Sequence, residues 1–180
     1  MEKTKVFFID RDGVINKEIG YLHEIAKFEF IDGVIESLKY IQNKGFKIII
    51  ITNQSGIGRG MYSREKFLEL NKWMIDFLST QGVKILDVFY CPHSPEERCT
   101  CRKPLPGMFL DAIKKYAIDI EISWSIGDKE TDMIAGSRAG LGRLFYFNRL
   151  GNVPSGSIFQ RCDLIKNLLD AKPFLLMEGK

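Results

Sequence analysis

Apolar and polar positions along this chain follow two periods. Short runs that are apolar almost throughout, at Lys5–Ile9, Lys47–Ile51, Ile85–Tyr90, Ile122–Ile126 and Leu144–Phe147, predict strands covered on both faces of a sheet. Between them the period lengthens to that of a helix. In Val34–Asn43 it places Val34, Leu38 and Ile41 on one face, with Asp32 as N-cap and Gly45 as stop. In Ser63–Thr80, Phe67, Leu70, Met74 and Phe77 form a stripe, and Gly82 follows the end. Further helices are predicted over Met108–Tyr116, Glu130–Ala139 and Asp163–Leu169. Strand and helix in alternation predict an α/β fold: one Rossmann-like, doubly wound parallel sheet with helices on both faces. A single domain over residues 1–180 is expected, with a flexible surface turn at Asn148–Ser157.

Composition acts mainly by exclusion. The chain is 45% apolar and 27% charged, as in ordinary globular proteins, and its net charge of +3 is too small to argue for nucleic acid or a membrane surface. The longest apolar candidate for a membrane span, Lys47–Thr52, is far too short, and Asp10 interrupts Val6–Ile9 before it reaches the length of a secretory segment. A cytoplasmic protein is expected. No coiled coil or apolar stripe suggests assembly, so a monomer is expected too.

The candidate chemistry lies just after the strands. Ligands of a doubly wound sheet bind at the carboxyl ends of its strands. The first predicted strand is followed by Asp10-Arg11-Asp12-Gly13, the second by Thr52-Asn53-Gln54-Ser55-Gly56, the third by Arg102-Lys103-Pro104 beyond a cysteine cluster, and the fourth by Gly127-Asp128-Lys129-Glu130-Thr131-Asp132. Carboxylates, a hydroxyl–amide cluster and a basic pair thus converge on one edge.

That set suits phosphoryl transfer, which needs an in-line nucleophile and neutralisation of the charge on the equatorial oxygens. Asp10 is a nucleophile that is ionised at neutral pH without a general base. Asp10, Asp128 and a backbone carbonyl near Asp12 are natural Mg²⁺ ligands. Asp12 is then available for proton transfer, and Thr52, the amides near Asn53 and Lys103 for holding phosphate oxygens.

Cys91, His93, Cys99 and Cys101 form a second constellation, three thiolates and one imidazole. This is a closed set suited to tetrahedral Zn²⁺ with no position left for water, hence structural: a zinc-stabilised loop that fixes Arg102 and Lys103 directly after it. Cys162 reads as a small buried hydrophobe and His23 as a loop contact.

These residues carry a resemblance. Asp10-Arg11-Asp12-Gly13, the strand ending in Thr52, Lys103, and Gly127-Asp128 through Asp132 are similar to the four ordered motifs of the haloacid dehalogenase superfamily. More narrowly, Gly20-Tyr21-Leu22-His23-Glu24, Phe28–Val34, Thr52–Ile57, Cys91-Pro92-His93, Cys101–Pro104 and Pro106-Gly107-Met108 resemble its heptose-bisphosphate phosphatases. The likeness covers roughly residues 5–140 and is only architectural beyond Gly140.

The resemblance implies removal of the 7-phosphate of a heptose 1,7-bisphosphate through an aspartyl-phosphate, a step in making nucleotide-activated heptose for lipopolysaccharide and related glycans. It implies Asp10 as nucleophile, Asp12 as general acid/base, and Asp10, Asp12 and Asp128 as Mg²⁺ ligands. Thr52 and Lys103 would stabilise the transferred group, and Arg102 would recognise the substrate. Arg11, the segment Glu18, Ile19, Gly20 and Tyr21, then Asn53, Gln54, Ser55 and Lys129 would line the substrate site. One departure concerns the segment between His93 and Cys99, which is short, as in the histidinol-phosphate phosphatases of the same superfamily.

Two rival classes meet obstacles. An inactive phosphate-binding protein would lack one of Asp10, Asp12, Lys103 or Asp128, and all are present. A zinc-containing nucleic-acid module would need a strongly basic face.

Overall fold

In a computed structural model that describes residues 3–152 and 154–177, the strands are β1 (Val6–Ile9), β2 (Lys47–Asn53), β3 (Ile85–Cys91), β4 (Trp124–Gly127), β5 (Arg143–Phe147) and β6 (Asp163–Ile165). The helices are α1 (Val34–Asn43), α2 (Ser55–Gly58), α3 (Arg64–Thr80), α4 (Gly107–Tyr116), α5 (Glu130–Arg138) and α6 (Lys172–Met177). All strand pairs are parallel, in the order β3-β2-β1-β4-β5-β6.

Period-two alternation along the strands sorts their side chains into two cores. Phe7, Ile9, Ile48, Ile50, Trp124, Ile126, Phe145 and Phe147 face α1 and α3, where they meet Val34, Leu38, Ile41, Leu70, Met74 and Leu78. Val6, Phe8, Ile49, Ile51, Leu144 and Tyr146 face α4 and α5, where they meet Met108, Phe109, Ala112, Met133 and Ala135. Covering on both faces explains the unbroken apolar runs Val6–Ile9 in β1 and Ile48–Ile51 in β2.

Two predicted features are corrected. Asp163–Leu169 is not a helix: Asp163–Ile165 pairs with Phe145–Phe147, and a short 3-10 turn at Leu168–Ala171 follows. The open edge of β5 offers those residues a full ladder. The Asn167 side chain, accepting from the Leu169 N–H at 2.9 Å, then breaks the chain direction before a helix can form. Asp32 does not cap α1 either. The N-cap is Gly33 at φ 77°, and the side chain of Asp32 lies in solvent with Arg149 3.8 Å away. Ser63 does cap α3, accepting from the Lys66 N–H at 3.3 Å. Of the predicted turn Asn148–Ser157, Val153 lies outside the described residues. Among the described residues no helix is long and apolar enough to cross a membrane.

Phe7 stands where this packing converges, its ring 5.8 Å from that of Phe46, 6.4 Å from Trp124 and 6.1 Å from Phe145. Phe7→Ala should therefore lower unfolding free energy by about 3–5 kcal/mol in urea titrations. A loss under about 1 kcal/mol would mean that the site collapses freely.

Candidate active site

The strand order fixes where the site lies. From β1 the chain winds outward through β2 and β3, and from β4 it winds the other way through β5 and β6. The crevice at this switch point opens beyond the carboxyl ends of β1 and β4. Asp10 follows β1 and is still tied to β4, its N–H donating to the Ile126 carbonyl at 3.1 Å. Asp128 follows β4. Gly13, at φ 90°, lets the turn pack onto it: a Cβ there would fall 2.1 Å from Asp128 Oδ2.

Lys103 enters this edge from the loop after β3. The Asn53 side chain clamps its backbone, Nδ2 donating to the Lys103 carbonyl at 3.1 Å and Oδ1 accepting from its N–H at 3.1 Å. The buried ammonium lies 3.0 Å from Asp10 Oδ1 and 2.5 Å from Asp132 Oδ1, and donates to the Ile51 carbonyl at 2.9 Å. Burial works against its charge, but Asp10 and Asp132 outweigh burial and hold its pKa above the ordinary lysine value.

The acids are less well served. Burial, reinforced by Asp132, Asp128 and Asp12, pushes Asp10 up to about 8 despite Lys103. Burial and Asp132 push Asp128 up to about 6 despite Lys129. Carboxylate oxygens of Asp10, Asp128 and Asp132 lie within 4.8 Å of one another, and Asp128 Oδ1 is buried without a hydrogen-bond partner. An orphaned oxygen in an all-carboxylate cluster with surplus negative charge fits a hard divalent cation.

The Asp12 carboxylate is not part of this cluster, which leaves its backbone carbonyl as the atom through which Asp12 would reach an ion. Its carboxylate turns to Arg11, receiving Nη2 at 2.9 Å and Nε at 3.2 Å, and also takes Asn16 Nδ2 at 3.0 Å and Gln54 Nε2 at 2.8 Å. Asp132 completes the acid cluster instead. It stands four residues after Asp128, a helix-turn spacing visible in the sequence, and its Oδ2 also accepts from the Lys129 N–H at 3.0 Å.

Arg11 is a correction. It is the largest fully buried side chain, beneath the pocket rather than in it. Bonds to Asp12, Asn71, Leu22 and Gln54, with the Phe67 ring 5.5 Å away, use its guanidinium inside the protein. Ile19 is also outside the pocket wall, with its side chain half in solvent.

The remaining expected residues surround one pocket of about 560 Å³. Thr52, Asn53, Gln54 and Ser55 line it with Asp10 and Asp12, and so do Glu18, Gly20, Tyr21, Arg102, Lys103 and Lys129. Lys129 Nζ meets Glu18 Oε2 at 2.8 Å, and Nη1 of Arg102 has no hydrogen-bond partner. Tyr62, which the sequence reading passed over, also lines this pocket. His23 is a loop contact: it stacks on Tyr62 with ring centroids 5.0 Å apart.

The cysteine constellation assembles at the end of β3. Cys91 Sγ lies 3.5 Å from both Cys99 Sγ and His93 Nδ1, and Cys101 Sγ lies 3.5 Å from Cys99 Sγ and 3.3 Å from His93 Nδ1. Ligands about 2.3 Å from a tetrahedral ion sit about 3.7 Å apart, so these four can hold a metal with little movement. Cys162 is half-buried against the second core, its thiol donating to the Ile158 carbonyl at 3.2 Å.

Comparison with known proteins matches residues 5–140 to the polynucleotide kinase 3 phosphatase family. The chain is 51% identical over 150 residues to a D-glycero-alpha-D-manno-heptose-1,7-bisphosphate 7-phosphatase of Photorhabdus laumondii, covering 79% of this chain and 82% of the relative. It is 40% identical over 179 residues to a D-glycero-beta-D-manno-heptose-1,7-bisphosphate 7-phosphatase of Haemophilus ducreyi, covering 95% and 98%. Among solved structures, the D,D-heptose 1,7-bisphosphate phosphatase of B. bronchiseptica complexed with magnesium and phosphate superposes with a TM-score of 0.85 at 25% identity, covering 98% of this chain and all of that one.

The acid cluster has a consequence for stability. Asp10 keeps its proton up to about 8 when folded but titrates near 3.8 when unfolded, so between these limits the native state binds more protons. The metal-free protein should lose stability as pH rises through that window, with a lower thermal midpoint near pH 8 than at about pH 5. Asp10→Asn should flatten the slope, and an added divalent cation should raise the midpoint most at the alkaline end. A midpoint that climbs with pH in the metal-free wild type would contradict this.

Proposed function

The chain belongs to the polynucleotide kinase 3 phosphatase family, within the haloacid dehalogenase superfamily, and from that premise we propose that Asp10 attacks a sugar phosphate at this edge. The protein is a hydrolase of phosphomonoesters, of the D-glycero-D-manno-heptose 1,7-bisphosphate 7-phosphatase type. One observation carries the mechanism: the buried Lys103 ammonium lies 3.0 Å from Asp10 Oδ1, with Thr52 lining the same pocket and Asp128 and Asp132 clustered with Asp10.

Oδ1 of Asp10 is held by Lys103 and by the Arg11 N–H at 2.8 Å, which leaves Oδ2 to attack phosphorus in line. As the Oδ2–P bond forms, the ester P–O bond breaks and the leaving alkoxide takes a proton from Asp12. Asp12 then draws a proton from the water that attacks phosphorus, and inorganic phosphate leaves with Asp10 restored. Asp10, Asp128 and the backbone carbonyl of Asp12, with Asp132 beside them, would hold Mg²⁺, which supplies charge neutralisation for the phosphoryl oxygens when bound.

Thr52 and Lys103 have different parts in this. The Thr52 hydroxyl oxygen already accepts from Gln54 Nε2 at 2.8 Å, so its own proton is free for a phosphoryl oxygen. Lys103 Nζ donates to the Ile51 carbonyl and is ion-paired with Asp10 and Asp132, so it fixes Asp10 and brings positive charge to the phosphoryl oxygens. A bisphosphate explains the cations at the rim: Arg102 and Lys129 stand where a distal phosphate would reach, and a guanidinium binds phosphate bidentately.

Cys91, His93, Cys99 and Cys101 would hold a structural Zn²⁺ and so fix Arg102 and Lys103. The working unit in this reading is one cytoplasmic phosphatase domain over residues 1–180 that acts as a monomer.

The test is Mg²⁺-dependent phosphate release from the α- and β-heptose 1,7-bisphosphates and from histidinol phosphate. A heptose bisphosphate should be preferred by at least about tenfold in kcat/KM; preference for histidinol phosphate would overturn the substrate assignment. Asp10→Asn should lower kcat by about 10³-fold or more while the fold and bound zinc persist, and appreciable residual turnover would rule out attack by Asp10. Cys101→Ser should lose zinc in native mass spectrometry and raise KM for the bisphosphate, because the loop presenting Arg102 loosens.

A further inference from the structure

Gln54 was expected to touch substrate, yet it is 3% exposed and its amide is committed on both sides within the protein. Its Oε1 accepts from the Tyr62 hydroxyl at 2.6 Å and from Arg11 Nη2 at 3.4 Å. Its Nε2 donates to Asp12 Oδ2 at 2.8 Å and to Thr52 Oγ1 at 2.8 Å. These partners permit a single orientation of the amide. A guanidinium only donates, so the oxygen must face Arg11, and the nitrogen is thereby turned to Asp12.

The Tyr62 hydroxyl makes the shortest contact to this amide, and nothing in the mechanism above uses it. Burial pushes its pKa up to about 12, which keeps the proton it must donate. The ring is held by packing: it stacks on His23, and a Cβ on Gly56 would fall 2.1 Å from Tyr62 Cε1. The hydroxyl is therefore delivered to Gln54 from a fixed position on the wall of the pocket.

We propose that Tyr62 is a positioning residue which, by holding the Gln54 amide, at once orients the Asp12 carboxylate and turns the Thr52 hydroxyl proton toward the transferring phosphoryl group. The inference rests on the phosphatase reading for its kinetic consequence but not for its geometry. Because Gln54 Nε2 donates to Thr52, the threonine cannot spend its own proton on Gln54. If the amide were flipped, Oε1 would face the Asp12 carboxylate and would accept the Thr52 proton, removing it from substrate. Tyr62 touches neither reacting atoms nor phosphate in this scheme and works only through Gln54.

The test is a double-variant cycle with a kinetic and a spectroscopic readout. Tyr62→Phe keeps the ring and its stacking, so the thermal midpoint should change little. The variant should lose about tenfold in kcat on the bisphosphate with KM within about twofold of wild type. Gln54→Leu should cost at least as much, and adding Tyr62→Phe to it should cost nothing further; Gln54→Met takes its place in the cycle should the leucine variant fail to fold. Costs that multiply in the double variant, a loss confined to KM, or a Tyr62→Phe variant with wild-type kcat would each overturn the proposal. Amide-proton NMR of Gln54 separates failure here from failure of the phosphatase reading. Its side-chain NH₂ should exchange slowly in wild type and quickly in Tyr62→Phe, whether or not any ester is hydrolysed. Unchanged exchange would refute the positioning role by itself.

Discussion

Lys103 holds its ammonium out of water between Asp10 and Asp132, and the organisation of the site follows from the electrostatics of that arrangement. A buried cation with a partner removed is costly, by about 3–5 kcal/mol, whereas the intact set supports itself. The lysine therefore cannot arrive on a loose loop. Asn53 clamps its backbone from the end of β2, Ile51 offers a carbonyl to its tip, and the cysteine–histidine cluster closes the segment just before it. Asn53 and Ile51 belong to β2 and Cys91 ends β3, so the sheet anchors the supports that keep these charges at fixed separations.

The same arrangement leaves the acids unbalanced by design of position rather than by accident. One ammonium faces Asp10 and Asp132, while Asp128 keeps a buried oxygen without a partner. That surplus of negative charge suits a divalent cation, which these carboxylates would hold. The raised pKa values of Asp10 and Asp128 and the fit to a cation are thus two expressions of one charge surplus.

Much of this was legible in the chain because burial on both faces of a sheet leaves long apolar runs and because motifs sit where those runs end. Five of the six strands, their parallel arrangement and the meeting of Asp10, Thr52, Lys103 and Asp128 followed from that pattern. What was not legible depends on tertiary context. Asp163–Ile165 has apolar spacing compatible with a helix and becomes a strand only because β5 has a free edge. Arg11 reads as an active-site cation by its place between two aspartates, but its side chain passes beneath the pocket, where Asp12, Asn71 and Gln54 satisfy it. Asp132 was within a quoted motif, yet its role needs the three-dimensional fact that Lys103 reaches it. Tyr62 left no signal, since a tyrosine beside a helix start is ordinary until Gln54 is seen in front of it.

These corrections share a physical reason. A phosphoryl-transfer site needs groups that face substrate and groups that keep those groups still, and the two classes use the same residue types. Sequence position separates them poorly: Arg11 and Arg102 are both arginines next to catalytic candidates, and Asp12 and Asp132 both follow a strand by a few residues. Hydrogen-bond capacity separates them well. Arg11 spends its donors inside the protein, whereas Nη1 of Arg102 has none of its bonding met there. Arg102 combines a place on the pocket wall with unmet hydrogen-bonding capacity, whereas Arg11 has neither, and that pairing divides substrate contacts from supports better than proximity to a motif.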